Sequence, residues 1–105
     1  MGTITHYDSD LDINFELPKF EVENEDDILI KYHDAAMWAI FNAIITMDEL
    51  ELDHCPVFSF DDNVFEINRD NISDVIKTCL NFLVTTEEYD ALTRLSEVSI
   101  NINLD

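Results

Sequence analysis

Basic residues are almost missing from this chain of 105 residues: Lys19, Lys31, Arg69, Lys77 and Arg94 stand against 24 acids. A phosphate backbone is gripped by clustered Lys and Arg, and these are scattered, so no direct binding of DNA or RNA is expected. Cysteine is as scarce. Cys55 and Cys79 show no C-x-x-C spacing and no dense framework, which points to reduced, buried thiols in a cytoplasmic protein. No basic segment followed by an apolar run stands at the start, so no secretory signal is expected. The longest apolar run, residues 35–47, is about five residues short of a bilayer span, so no membrane partner is expected either. There is no internal repeat, no linker and no catalytic signature.

What is present is charge. The formal net of -19 and a pI near 4.1 oppose compaction through self-repulsion, while the same field attracts any large basic surface. Disorder would need few apolar residues, yet 47% of the chain is hydrophobic, with seven Phe, three Tyr and one Trp. One domain over 1–105 follows, with a radius of gyration of roughly 13 Å. Salt adaptation also produces acidic surfaces, but the abundance of Ile and Asn is a different bias from simple acid-for-Lys exchange.

Alternation in 10–17 puts Leu11, Ile13, Phe15 and Leu17 on one face of a strand, and its other face becomes a row of Asp8, Asp10, Asp12, Asn14 and Glu16. Pro18 and Lys19 suggest a turn into a second short strand over 20–23. Asn24 is a good N-cap, with Glu25, Asp26 and Asp27 in the first turn, for a long helix to about residue 49 that is apolar nearly all round from Ala35 to Met47. "VFSF" and "VFEI" around Asp61, Asp62 and Asn63 read as a hairpin. Asp70 or Asn71 starts a second helix with Ile72, Val75, Ile76, Cys79, Leu80 and Leu83 inward. Thr85, Thr86 and Glu88 suggest a capping box for a short third helix, with Tyr89, Leu92 and Leu95 inward. Alternation of Val98, Ile100, Ile102 and Leu104 suggests a terminal strand. The order β-β-α-β-β-α-α-β describes an α+β domain, an antiparallel sheet packed against a buried central helix and two shorter helices.

Candidate chemistry is thin. Asp8, Asp10, Asp12 and Asn14 match the first ligand places of an EF-hand loop, but Ile13 stands where glycine is needed and Lys19 where a bidentate Glu belongs, so calcium is not expected. His54 and Cys55 are neighbours that a strand would point to opposite faces, and the spacing of His54, Cys55 and Cys79 gathers no zinc set. No nucleophile has a positioned base, and His33 reads as a boundary residue of the long helix. The expectation is a non-enzymatic protein without metal or cofactor.

The carboxylate row suggests imitation of a nucleic acid. Same-face residues of a strand repeat every ~6.6 Å, about two 3.4 Å steps along one DNA strand, and carboxylates accept bidentate Arg contacts much as phosphates do. Against it stands the plainer reading of a charged, aggregation-resistant edge. Asp is nonetheless disfavoured in strands and like charges on one face repel. Acids at "MDELELD" (47–53) also oppose the helix dipole, by about 0.3–1 kcal/mol each. Residues 1–70 carry 18 acids and three bases, whereas 71–105 carry six and two, so the field should be directional.

These features suggest an acidic inhibitor that occupies the basic DNA- or RNA-binding surface of a nuclease, restriction enzyme or CRISPR effector. Size and charge are those of small phage-type DNA mimics, an analogy with no residue correspondence, and a phage origin would place it in the host cytoplasm. The expected partner-binding residues are Asp8, Asp10, Asp12, Glu16, Glu21, Glu23 and Asp26, with Asp61, Asp62 and Glu66 as a second patch. The alternative is an immunity protein or antitoxin that docks on one cognate toxic nuclease, which exposed Tyr7, Tyr32 or Phe58 would favour. An acidic edge strand leaves self-pairing into a homodimer open.

Overall fold

Paired hairpins, each followed by paired helices, make up the chain. The computed structural model describes the backbone of residues 2–102 and the side chains of 2–98. Its elements run β1 (Gly2–Asp8), β2 (Ile13–Phe20), α1 (Glu25–Lys31), α2 (His33–Glu49), β3 (His54–Phe60), β4 (Asn63–Asn68), α3 (Ile72–Thr85) and α4 (Tyr89–Ile102). This is the expected α+β class: a single domain whose sheet, ordered β1-β2-β3-β4, packs against helices. The Cα radius of gyration is 13.4 Å.

The first hairpin differs from the sequence reading in its turn. β1 is built from "TITHY", rich in β-formers, and pairs antiparallel with β2 from Gly2↔Lys19 to Asp8↔Ile13. The chain therefore reverses at residues 9–12, and Pro18 lies inside β2. Proline is tolerated there because β3 pairs with β2 only at Lys19 and Phe20, so the missing donor at Pro18 leaves no gap in that ladder. That junction is parallel, which makes the sheet mixed rather than wholly antiparallel.

The second hairpin forms where expected. β3 is buried from Cys55 to Ser59, and a register shift between Pro56 and Phe58 absorbs the proline. Phe58 stacks on Phe65 at 5.1 Å and meets Phe20 at 5.1 Å, which joins the hairpins through aromatic contacts.

The long helix is broken. Asn24 caps α1 by accepting from the Asp26 N–H at 3.2 Å, as its position suggested. At Tyr32 the backbone leaves the helical region, the ring stacks on Phe20 at 5.1 Å, and α2 departs at 109° to α1. Neither helix alone is long and apolar enough to cross a membrane. α2 buries Ala36, Met37, Ile40, Ala43, Ile44 and Met47 and is the central core helix the sequence called for.

α3 buries Ile72, Ile76, Cys79, Phe82 and Leu83 as its periodicity requires, with Val75 and Leu80 half-buried. α4 is not short, and residues 98–102 continue it instead of forming a strand. A face of Leu95 and Val98, both fully buried, accounts for this. Strand alternation and helical spacing compete in that segment, and packing on α2 and α3 decides for the helix. Residues 103–105 lie outside the described part. The capping box is also absent: Thr85 and Thr86 donate back to the carbonyls of Asn81 and Phe82, and Tyr89 is exposed.

Candidate protein-binding surface: acidic turns at both ends of the sheet

The expected row of carboxylates does not exist as a strand face, because residues 9–12 are a turn. Asp8 ends β1 with only 8% of its surface exposed. Its Oδ1 accepts the N–H groups of Asp10 (3.0 Å) and Leu11 (3.1 Å), and its Oδ2 accepts from His54 Nε2 at 2.9 Å. Burial pushes the Asp8 carboxyl up, but these donors outweigh it and hold the group below its ordinary value of 3.8. Asp8 therefore clamps the first turn to β3 and leaves little of its surface exposed. Asp10 and Asp12 are exposed on the turn, and Asp12 Oδ1 accepts from Tyr7 Oη at 2.8 Å. That contact raises the Tyr7 phenol above its usual range.

Ligand atoms of Asp8, Asp10 and His54 come within 4.8 Å of one another, in the arrangement that the hydrogen bonds of Asp8 hold. The zinc set is not gathered: Cys79 lies in the core at 4.0 Å from the Met37 carbonyl, and Cys55 is turned to the Pro56 carbonyl at 3.4 Å. Burial raises both thiols to about 11.

At the opposite end of the sheet, the parallel pairing of β2 with β3 carries the exits of both strands to one place. Glu21, Glu23 and Asp27 follow β2, Asp61 and Asp62 form the β3–β4 turn, and together they line an open cleft of about 620 Å³ with Lys19 and Lys31. From Ile13 to Phe20 the sheet is about 23 Å long, so this cleft and the Asp10/Asp12 turn are separate poles. The remaining expected residues lie between or beside them. Glu16 is on β2, accepting from Thr5 Oγ1 at 2.8 Å, Glu66 is half-buried on β4, and Asp26 is exposed on α1.

Sequence reasoning missed a pattern in the backbone. The described backbone turns left-handed outside glycine at Asp12 (φ 55°), Glu51 (54°), Asp61 (41°), Asp62 (63°) and Glu87 (59°), and every one is an acid. Glycine, Asn and Asp are the usual occupants of such positions, so Glu51 and Glu87 are the departures. Asp61 and Asp62 have the positive φ values of a tight primed hairpin turn, where Asn-Gly is favoured. Glu51 and Glu87 each follow a helix in the place glycine normally takes. The Leu52 N–H reaches the Met47 carbonyl at 2.9 Å and the Glu51 N–H the Asp48 carbonyl at 3.3 Å, and Glu88 and Glu87 repeat this with Leu83 and Val84 at 3.0 and 3.2 Å. The available signal was the lone glycine of the chain, Gly2, which forces other residues into every left-handed position.

α2 does reach Asp48 and Glu49, as the dipole argument required, and Arg94 of α4 offsets them at 3.9 and 3.1 Å. Asp53 pairs with Arg69 at 2.6 Å, which holds that carboxyl below its ordinary range. Among the described residues, no cation pairs with Asp10, Asp12, Glu16, Glu21, Glu23, Asp26, Asp61, Asp62 or Glu66. Of the aromatics that would mark an anchor patch, Phe58 is buried and Tyr32 half-buried, and Tyr7 is 54% exposed. No family model, curated protein or solved structure matches the chain.

Proposed function

We propose that this protein is a non-enzymatic acidic inhibitor that occupies the basic nucleic-acid-binding surface of a partner such as a nuclease, restriction enzyme or CRISPR effector. The observation that carries the reading is the grouping of acids at the two ends of the sheet: Glu21, Glu23, Asp61 and Asp62 converge on one open cleft, and Asp10 and Asp12 stand exposed on the opposite turn with no cation paired to them among the described residues. On this reading the contacts are Asp61, Asp62, Glu21 and Glu23 at one pole and Asp10 and Asp12 at the other. Glu16, Asp26 and Glu66 lie along the intervening surface, and Asp8 only positions its turn. Long-range attraction raises the association rate, and binding weakens with salt.

The test is capture of a partner at low salt followed by competition with that partner's DNA or RNA. Release by the nucleic acid supports mimicry, and a partner that binds its nucleic acid undisturbed while still attached refutes it. An immunity-type protein, docked beside an active site through apolar anchors, is the second reading. Leu29 and Ile30, 54% and 78% exposed among the acids of α1, favour it.

A further inference from the structure

We infer that the groove under α1 receives an apolar side chain from a basic segment of the partner protein, so that charge steers the encounter and this groove anchors it. The inference rests on the basic-partner reading above and deepens it.

The 109° bend at Tyr32 swings α1 away from α2. Of α1, only Ile28 is buried, and a groove of about 280 Å³ remains between α1, the start of α2, the second hairpin and α3. Its walls include Leu29, Ile40, Phe65 and Val75. Its rim is acidic: Glu25 and Asp26 on the α1 side and Asp74 on the α3 side, all exposed. Leu29, 54% exposed, forms one lip.

Charge decides the occupant. A second copy of this chain, with a net charge of -19, would bring the same acids against that rim. A neutral apolar segment would leave the rim carboxylates beside it without counter-charge. A segment with Lys or Arg flanking an apolar side chain satisfies both floor and rim, as in the docking of amphipathic basic segments into apolar grooves. The expected order of events is fast, salt-sensitive encounter through the acidic poles, then seating of the anchor, which lowers the dissociation rate.

The test uses two synthetic peptides of equal charge. One is a Lys/Leu peptide with Leu at positions i, i+3, i+4 and i+7, and the other has each Leu replaced by Ser. Affinities are measured at about 0.5 M salt, where exposed charges are largely screened, and methyl NMR signals of Leu29, Ile40 and Val75 are followed. The Lys/Leu peptide should bind at least about tenfold more tightly than Lys/Ser and move those signals. Leu29→Ser, at an exposed site that spares the core, should remove most of that difference and leave Lys/Ser binding unchanged. Equal affinity of the peptides, or shifts elsewhere, overturns the groove. Salt-sensitive binding of Lys/Ser at low salt would then still support the basic-partner reading, whereas failure of both peptides at low salt counts against both.

Discussion

Glu51→Gly and Glu87→Gly together should make the protein more stable although each removes a native side chain. Both residues close a helix in the left-handed region, at φ 54° and 59°. That conformation costs a non-glycine residue about 1–2 kcal/mol. Glycine would remove this cost but lose roughly 0.5–1 kcal/mol through the greater entropy of the unfolded chain. Each carboxylate also stands at the negative end of a helix dipole, which adds about 0.3–1 kcal/mol in favour of removal. The balance is about 1 kcal/mol per site. The glutamates close different helices and share no hydrogen-bond partner, so the effects should add to about 2 kcal/mol, or about 8–16 °C in Tm for a domain of this size. Thermal unfolding by circular dichroism reads this directly. Gln at the same positions removes charge but keeps the backbone penalty, so it should raise Tm by less than half as much. A double glycine variant that melts within about 2 °C of the parent, or below it, would refute the claim that these acids are held against the fold.

Three further outcomes follow from named contacts. Asp61→Asn with Asp62→Gly installs the preferred residues of the primed turn, so Tm should rise by about 4–8 °C, while affinity for a Lys/Ser peptide falls because the cleft loses charge. Asp8 is held below its ordinary 3.8 in the fold, so the unfolded chain binds the proton more readily. Its stabilisation is full above 3.8 and is lost as pH falls through the lower folded value, and Asp8→Asn should destabilise at pH 7 while flattening the acid limb of stability below about pH 5. With their thiols raised to about 11, Cys55 and Cys79 should react with a thiol reagent at pH 8 far more slowly in the native protein than in guanidinium.

Much of this fold is legible in the sequence because it rests on strong periodicities. Ile72, Ile76, Cys79 and Leu83 announce α3, the run from Ala35 to Met47 announces α2, and Asp61-Asp62 announces the hairpin turn. The departures arise where local signals compete with distant partners. "DSDLD" alternates like a strand, but the Asp8 carboxylate collects two backbone N–H groups and bends it into a turn, with His54 supplying the third donor from 46 residues away. β1 was silent because an edge strand buries little, with Ile4 and His6 only half-buried. The break at Tyr32 has no Pro or Gly to announce it, since stacking on Phe20 is a tertiary contact. At the candidate site the acids were visible as a composition, but their grouping into two poles was not. That grouping follows from the parallel junction of β2 and β3 at Lys19↔Ser59, which a hairpin-by-hairpin reading does not anticipate.

The most direct measurement is binding of a captured partner to the wild-type protein and to a variant with Asp10, Asp12, Glu21, Glu23, Asp61 and Asp62 replaced by their amides. It is run across a salt series, with and without the partner's nucleic acid. The account predicts that wild-type binding weakens steeply with salt, that the nucleic acid displaces it competitively, and that the amide variant loses most of its affinity while remaining folded. Salt-insensitive binding that tolerates the nucleic acid and survives loss of these carboxylates would contradict it.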